Sequence, residues 1–174
     1  MRMLLGLALG LACGGCGYAP LTHGMRAQSG LDDAGLKQVQ FYMNEKCVFE
    51  RQVNTLSGEV ARGKVEMREG RAIDVVRVPK HTPGVVEGVW PDKISVSFAP
   101  GSWFYFGTRP DEGSLSKYYL LGRFDRESKR FAVIYGNQEY YQTTENLCYL
   151  EVRRSLQKSK AKDKTTLRGR RVGE

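Results

Sequence analysis

The sequence predicts a mainly β fold, a small antiparallel barrel or a strongly bent sheet of roughly eight to nine strands with one short N-terminal helix. From Cys47 to Arg153, apolar and polar residues alternate with the period of two that is typical of half-buried strands. Turn-forming residues interrupt this alternation about every eight to twelve positions. So many short strands are most easily accommodated when few edges are left open, which favours closure or strong bending.

The first residues have the pattern of a secretory signal peptide. Arg2 and the free amine carry positive charge, and residues 3–12 are small or apolar throughout. A membrane-spanning helix needs about 20 such residues, whereas about ten followed by small residues is typical of a signal peptide. We therefore expect residues 1–15 to be a signal peptide that directs export.

Cysteines follow this segment in an informative context. The run Leu11-Ala-Cys-Gly-Gly-Cys-Gly17 resembles the lipobox of bacterial lipoproteins. The resemblance implies cleavage before an acylated cysteine. Cys16 fits better than the alternative, Cys13, because it leaves a longer apolar region and follows two glycines. Gly17 stands where an aspartate would imply inner-membrane retention, so the resemblance implies an outer-membrane lipoprotein facing the periplasm. Ordinary secretion with cleavage near residues 19–20 is the alternative.

The chain divides into four parts. After the signal peptide we expect a lipidated tether at residues 16–30, a β-rich domain at 31–154 and a basic, disordered tail at 155–174. The tail has seven lysine or arginine residues against two acidic ones, so it supplies +5 of the formal net charge of +8. These charges suit anionic lipid headgroups, and a solvated tail without a partner is the alternative. Nucleic acid is not an expected partner, because the excess charge is not on the folded domain.

The two remaining cysteines are expected to form a disulfide. Cys47 lies on the first strand of the alternating region and Cys148 on the last, and each shares a face of its strand with apolar residues. The periplasm is oxidising, so an even pair of cysteines is typical of a disulfide there. If the first and last strands are neighbours, both thiols come within bonding distance. The alternative is two buried thiols.

One short helix is predicted at the start of the domain. Asp32 or Ser29 is suited to cap its N-terminus, and Leu36, Val39 and Met43 recur on one helical face. We expect this helix to pack across one end of the domain.

The strand-like segments follow in the order 47–53, 59–67, 72–78, 84–90, 93–98, 103–106, 118–124, 130–135, 139–143 and 147–153. Pro91 and Asp92 join 84–90 to 93–98 in the clearest hairpin, and 118–124 is expected to pair with 130–135. The Thr-Pro-Gly turn, the run Asp-Lys-Ile-Ser-Val-Ser-Phe and the aromatic strand within 81–107 resemble small SH3-like barrel segments and a stretch of uncharacterised bacterial lipoproteins. That resemblance covers under a fifth of the chain and implies a fold rather than an activity.

Aromatic residues concentrate in the second half of the domain. Trp103, Tyr105, Tyr119 and Tyr141 each stand next to another aromatic residue. Neighbours on a strand face opposite sides, so one of each pair can be exposed. Exposed tyrosine and tryptophan favour binding to proteins or to sugar rings, which makes these four the candidate binding surface. The alternative is that one member of each pair fills the core and the other packs beneath a loop.

The sequence has no motif that specifies a reaction. It lacks a Gly-x-Ser-x-Gly motif and a Gly-rich phosphate loop, and beyond the lipobox it has no close cysteine pair suited to zinc. We therefore predict no catalytic residue, no metal and no cofactor. The favoured function is a non-enzymatic, membrane-anchored envelope lipoprotein that binds an envelope protein or glycan, or has a structural role. The alternative is a periplasmic enzyme acting on cell-wall or lipid substrates.

Overall fold

The computed structural model describes residues 17–54 and 61–154. The predicted signal peptide, both lipidation candidates and the basic tail lie outside the described residues, as does the start of the predicted strand 59–67. The strands are β1 (Tyr18–Pro20), β2 (Phe41–Met43), β3 (Cys47–Val53), β4 (Lys64–Arg68), β5 (Arg71–Val78), β6 (Pro83–Val89), β7 (Lys93–Ala99), β8 (Ser102–Gly107), β9 (Tyr119–Leu120), β10 (Arg123–Asp125), β11 (Arg130–Tyr135), β12 (Gln138–Gln142) and β13 (Leu150–Arg153). The helices are α1 (His23–Ser29), α2 (Asp33–Lys37) and a 3-10 segment (Pro110–Leu115).

The strands form two antiparallel sheets. The seven-stranded sheet has the order β1-β13-β2-β6-β7-β8-β9, and the six-stranded sheet has the order β10-β11-β12-β3-β5-β4. The backbone N–H of Leu120 also donates to the Cys148 carbonyl at 2.8 Å, and that of Leu150 donates to the Tyr118 carbonyl at 3.0 Å. The β9 edge therefore lies beside the residues that lead into β13.

The mainly β class is confirmed, but the number and closure of the strands were wrong. The described residues contain thirteen strands in two sheets, and these sheets do not form a closed barrel. Strands β1 and β2 have three residues each, which is too few to show an alternating pattern. The predicted strand 118–124 is split between the two sheets, which adds a further element.

The two sheets share a hydrophobic core. Phe104 on β8 lies against the six-stranded sheet, with its ring centroid 4.7 Å from that of Phe49 and 4.3 Å from that of Tyr135. All three rings are essentially inaccessible to solvent. Because stacked and tilted aromatic pairs add to the gain from burial, this cluster holds the two sheets together.

Residues 17–30 are part of the domain, so the prediction of a tether there was wrong. Strand β1 pairs with β13, and Tyr18 lies opposite Arg153. Helix α1 then begins after Thr22, whose hydroxyl oxygen accepts a 3.1 Å hydrogen bond from the Met25 N–H. Gly30, with a φ of 57°, ends that helix. Strand β1 pairs with β13, which lies near the other end of the chain. The local pattern of residues 17–30 therefore does not reveal this pairing.

The predicted helix is confirmed at its start and is shorter than expected. Asp32 caps α2, because its Oδ1 accepts a hydrogen bond of 2.7 Å from the Gly35 N–H. Leu36 is buried in α2, whereas Val39 is buried after the helix and Met43 is buried on β2. These three apolar residues have the spacing of one helical face. They are buried for different reasons, because the chain changes from a short helix to a strand between them.

The chain crosses from one sheet to the other at Gly122. It follows β9, at the edge of the seven-stranded sheet, and precedes β10, at the edge of the six-stranded sheet. A Cβ atom at this position would collide with the carbonyl oxygen of Ala132 and with the Phe131 ring. Only glycine permits so close an approach, which is why the predicted strand breaks here.

Cys47 and Cys148 form a disulfide, as predicted, with their Cα atoms 6.4 Å apart. The expected pairing of their strands was wrong. Strand β3 lies between β12 and β5 in the six-stranded sheet, whereas Cys148 lies two residues before β13 of the seven-stranded sheet. The disulfide therefore joins the two sheets across the core and does not join two neighbours in one sheet.

Candidate binding groove

The four aromatic residues of the predicted binding surface are all partly exposed, and they lie on three strands. Trp103 and Tyr105 are on β8, Tyr119 is on β9 and Tyr141 is on β12. Tyr105 and Tyr119 line two different grooves, and Trp103 and Tyr141 line neither of these two. The structure thus distributes the four residues over more than one surface.

The larger groove lies where the two sheets meet. It has an open volume of about 460 Å³ and is lined by Arg109, β9, the hairpin of β10 and β11, and the loop 142–148. We call it the Phe124 groove, because Phe124 of β10 and Leu147 of the loop are both exposed in it, at 61% and 60%. Large exposed apolar side chains on two walls of one groove are typical of a binding site.

Basic side chains outnumber acidic ones in the lining of the Phe124 groove. Arg109, Lys129 and Arg130 contribute three positive charges, and Glu145 contributes one negative charge. The lining therefore has a net charge of about +2, or about +1 when Glu112, which pairs with Arg109 at 3.4 Å, is counted; either value favours an anionic group on a ligand.

Two of these cations lie over tyrosine rings. The Arg109 guanidinium carbon is 4.2 Å from the centre of the Tyr119 ring, and that of Arg130 is 4.5 Å from the centre of the Tyr141 ring. These guanidinium groups cover ring faces on which a sugar would otherwise stack, while their N–H edges can still donate to carboxylates. The predicted tyrosines thus position cations next to the groove.

Tyr119 and Arg109 are held in place by Glu112 of the 3-10 segment. The Tyr119 hydroxyl donates to Glu112 Oε2 at 3.1 Å, and Arg109 Nη1 donates to Glu112 Oε1 at 3.4 Å. The Arg109 backbone N–H donates to the buried Ser116 hydroxyl oxygen at 2.7 Å. Partial burial, followed by the hydrogen bond to Glu112, raises the pKa of Tyr119, so its hydroxyl keeps its proton. This wall is therefore preorganised.

The loop wall is held by its own side chains. Gln142 Nε2 donates to the carbonyl oxygens of Thr144 and Asn146, each at 2.7 Å. The Thr143 N–H donates to the Val48 carbonyl at 2.9 Å, which fastens the loop to β3. These bonds leave the loop little freedom, so Leu147 is presented in a defined position.

Asn44 and the disulfide fix the far end of this loop. Asn44 Nδ2 donates to the Leu147 carbonyl at 3.0 Å, and Asn44 Oδ1 accepts from the Tyr149 N–H at 2.7 Å. Cys148, which lies between these two residues, is bonded to Cys47. A buried asparagine that satisfies two backbone groups acts as a bridge between strands. The disulfide thus also stabilises a wall of the groove.

The hairpin wall has a capped turn. Asp125 accepts hydrogen bonds from the Ser128 hydroxyl at 2.7 Å and from the Glu127 N–H at 3.1 Å. These bonds, the one from Ser128 first, lower the pKa of Asp125. Phe124 and Phe131 lie directly opposite each other in the hairpin, and Phe131 packs against the core. Phe124 thus rests on a fixed support and still faces solvent.

A second, smaller groove of about 330 Å³ lies nearby on the outside of both sheets, lined in part by Tyr105, Leu121 and Ile134. Arg123 and Glu139 form an ion pair of 3.1 Å in its lining. Lys93 is the remaining charged side chain of this lining. Leu121 and Ile134 are 37% and 44% exposed, less than Phe124 and Leu147, so this groove is the second candidate.

The sequence reasoning missed a buried polar group. Asp74 is fully buried, and it accepts hydrogen bonds from the Tyr140 hydroxyl and from the backbone N–H groups of Arg62 and Gly63, all between 2.7 and 2.8 Å. Arg51 Nη2 lies 3.8 Å from it. One signal was present, since Asp74 is the single acid in the otherwise apolar stretch 72–76. The bonds enclose Asp74, so its role is structural.

Within the described parts of the chain, no group of three or more histidine, cysteine or acidic side chains is placed to hold a metal ion. No helix of residues 17–54 and 61–154 is both long enough and apolar enough to cross a membrane. Comparisons with known proteins found no matching family model, no matching curated protein and no matching solved structure.

Proposed function

We propose that this chain is a non-enzymatic, lipid-anchored protein of the bacterial cell envelope whose Phe124 groove binds an acidic segment of another envelope protein. One observation carries the proposal. Phe124 and Leu147 are exposed on two walls of a groove whose lining has three cations and one carboxylate. A polypeptide segment that combines apolar side chains with carboxylates matches both properties.

A polypeptide is favoured over a glycan as the partner. Glycan recognition uses open aromatic faces, and the Tyr119 and Tyr141 rings are each covered on one face by an arginine. The same guanidinium groups suit a carboxylate, because their paired N–H groups match its two oxygens. The walls of the Phe124 groove are already held by hydrogen bonds. Binding a segment therefore costs less conformational entropy of the protein.

Attachment to the outer membrane, facing the periplasm, is the second part of the proposal. Its support is the signal-peptide pattern of residues 1–15 and the lipobox-like context of Cys16. The disulfide between Cys47 and Cys148 agrees with it, because stable disulfides are typical of oxidising compartments outside the cytoplasm. An acyl anchor with several chains holds a protein on a bilayer stably.

Binding to defined probes tests the groove. The acylated full chain in detergent micelles is titrated with a ten-residue peptide of alternating glutamate and phenylalanine, with its glutamine counterpart and with a soluble muropeptide. We expect the acidic peptide to bind more tightly than the glutamine peptide, and we expect added salt to weaken it. Equal affinity for both peptides, or hydrolysis of the muropeptide, would overturn the proposal, and hydrolysis would support the periplasmic-enzyme alternative.

Matched variants locate that binding. Phe124→Ser and Leu147→Ser should each weaken the acidic peptide at least tenfold, the effect of losing about 1.4 kcal/mol at an interface. Met67→Ser is the control, because Met67 is an apolar side chain on β4 that is 69% exposed and lies outside the groove. If the control weakens binding as much as the groove variants do, the binding is non-specific.

Labelled palmitate tests the anchor. The intact chain, Cys13→Ala and Cys16→Ala are grown with the label, and their membrane fractions are compared. Loss of the label in Cys16→Ala alone, with the other two proteins in the membrane pellet, is the expected result. A chain that takes up no label and stays in the soluble periplasmic fraction contradicts the anchor, and Cys13 replaces Cys16 if only Cys13→Ala loses the label.

A further inference from the structure

Both ends of the described domain leave it at the same point. The Arg154 N–H donates to the Gly17 carbonyl at 2.9 Å, and Arg154 Nε donates to the Tyr18 carbonyl at 3.3 Å. Tyr18 lies directly opposite Arg153 in the ladder of β1 and β13. Residue 16 and residue 155 are therefore attached to neighbouring backbone positions. Whatever holds residue 16 also brings the start of the basic tail close to it.

Acylation of Cys16 would bring this corner to the membrane. Cys16 and Tyr18 are separated by two residue steps, which span at most about 7 Å even when fully extended. Since Tyr18 is already paired in a sheet, the domain itself, and not a long tether, begins at that distance. This step rests on the lipid anchor proposed above.

Aromatic and basic side chains form the outer face at this corner. We call it the Tyr18 face and define it by Tyr18, His81, Arg153 and Arg154, which lie over the buried Tyr42. The Tyr18 ring stacks on His81 at 3.9 Å and meets the Tyr42 ring edge-on at 4.8 Å. Arg153 Nε donates to the Tyr42 hydroxyl at 3.2 Å, and its guanidinium lies 5.9 Å and 5.7 Å from the two tyrosine rings. A partly exposed tyrosine next to arginine is a combination favoured at the interface between lipid and water.

The charges of the Tyr18 face also suit a membrane. Arg153 and Arg154 are exposed, whereas the acid on the same face, Glu151, has a side chain that is only 13% exposed and lies 3.5 Å from His81. Lys80 beside the face is paired with Glu45 at 2.9 Å. The excess positive charge at this corner matches anionic phospholipid headgroups.

We propose that the Tyr18 face docks on an anionic phospholipid bilayer, so that the protein has one fixed orientation on its membrane. None of the residues that define the Tyr18 face lines the Phe124 groove, so the docked face and the binding groove are separate surfaces of the domain.

Cross-linking from the lipid tests this orientation. The acylated full chain is placed in vesicles of phosphatidylcholine and phosphatidylglycerol, with a photoreactive group on the phosphatidylglycerol headgroup. Cross-links are expected on the peptides that contain Tyr18 or Arg153, at least fivefold more often than on those that contain Phe124 or Leu147. Equal labelling of all four peptides, or labelling mainly of the groove peptides, would overturn the proposal.

Charge reversal provides the second arm. Arg153→Glu combined with Arg154→Glu should lower the cross-linking of the Tyr18 peptide at least threefold. Lys64→Glu combined with Arg126→Glu makes the same change in net charge at two exposed positions away from this face and should lower it much less. If the first double variant unfolds in circular dichroism, the corresponding double glutamine variant replaces it. Equal effects of the two double variants would show a net-charge effect and contradict a docking face.

The two proposals fail in distinguishable ways. A chain that is acylated and pelleted with vesicles, but is labelled evenly, keeps its anchor and loses the docking face. A chain that carries no acyl group loses the anchor. Cross-linking of that unacylated chain at low ionic strength then tests the docking face without the anchor. More labelling of the Tyr18 peptide than of the groove peptides supports the face, and equal labelling contradicts it.

Discussion

The Tyr140 hydroxyl donates a hydrogen bond of 2.7 Å to the Asp74 carboxylate, and both side chains are fully buried. The bond connects β12 with β5, on opposite sides of β3 in the six-stranded sheet. Burial, followed by this bond, raises the pKa of Tyr140 to about 12. A buried carboxylate is unfavourable unless hydrogen bonds replace its lost water, so Tyr140 is one of the groups that make Asp74 tolerable in the core.

Tyr140→Phe should lower the free energy of unfolding by about 1–3 kcal/mol, because it removes a hydrogen bond and leaves Asp74 partly unsatisfied. The folded-state pKa of Tyr140 is raised, so the stabilisation is fully present below about pH 10 and is lost as the pH rises toward 12. Urea titrations at pH 7 and above pH 10 measure both effects. Tyr105→Phe is the control, and a similar loss in Tyr105→Phe would contradict a specific role for Tyr140.

Breaking the disulfide between Cys47 and Cys148 should destabilise the domain by up to about 4.7 kcal/mol, because it joins residues 101 positions apart and restricts the unfolded chain. The measurement is the urea midpoint with and without a reductant. The double variant Cys47→Ala with Cys148→Ala should unfold at the reduced midpoint and should not respond to reductant. A reductant effect in that variant would have another source.

Asn44→Ala should loosen the loop wall of the Phe124 groove, since it removes the bonds to the Leu147 carbonyl and the Tyr149 N–H. We expect a loss of about 1–3 kcal/mol of stability and at least tenfold faster hydrogen exchange at the Tyr149 amide. Asn146→Ala, in the same loop and exposed, should leave this exchange unchanged. Unchanged exchange in Asn44→Ala would show that the disulfide alone holds this end of the loop.

Glu151→Gln should stabilise the domain at neutral pH. Burial raises the pKa of Glu151, so its ionised form is unfavourable in the folded protein, although His81 and then Lys80 partly offset this. The stabilisation associated with the protonated carboxyl is present below the unfolded-state pKa, near 4.5, and is lost as the pH rises through the folded value. The gain in Glu151→Gln should thus be less than about 1 kcal/mol at pH 7 and should vanish near pH 4. Urea titrations at both pH values test it, and a loss of stability at pH 7 would show that the contacts of the carboxylate with its basic neighbours outweigh the cost of burial.

Several features could be predicted from the sequence because they depend on neighbouring residues. Strands β3, β5, β7 and β11 lie where the alternating pattern predicts them. On β3 the buried residues Cys47, Phe49 and Val53 lie on one side, as alternation predicts, whereas on β7 the serines at 95 and 97 are buried as well. Asp32 caps α2 as expected, because a cap and the N–H group that it satisfies are only a few residues apart. The disulfide was predictable from the count and the facing of the cysteines.

What depends on distant partners was decided only by the tertiary structure. The pairing of β1 with β13 makes a strand of residues that have no pattern of their own. The chain changes sheets at Gly122. Glycine is required at that position because a Cβ atom there would collide with the Ala132 carbonyl oxygen. The Phe124 groove likewise combines residues 109, 124 and 147 from separate loops and strands. The sequence by itself thus determined the β class and the disulfide pair, whereas the arrangement of two sheets and the position of the groove required contacts between residues far apart in the chain.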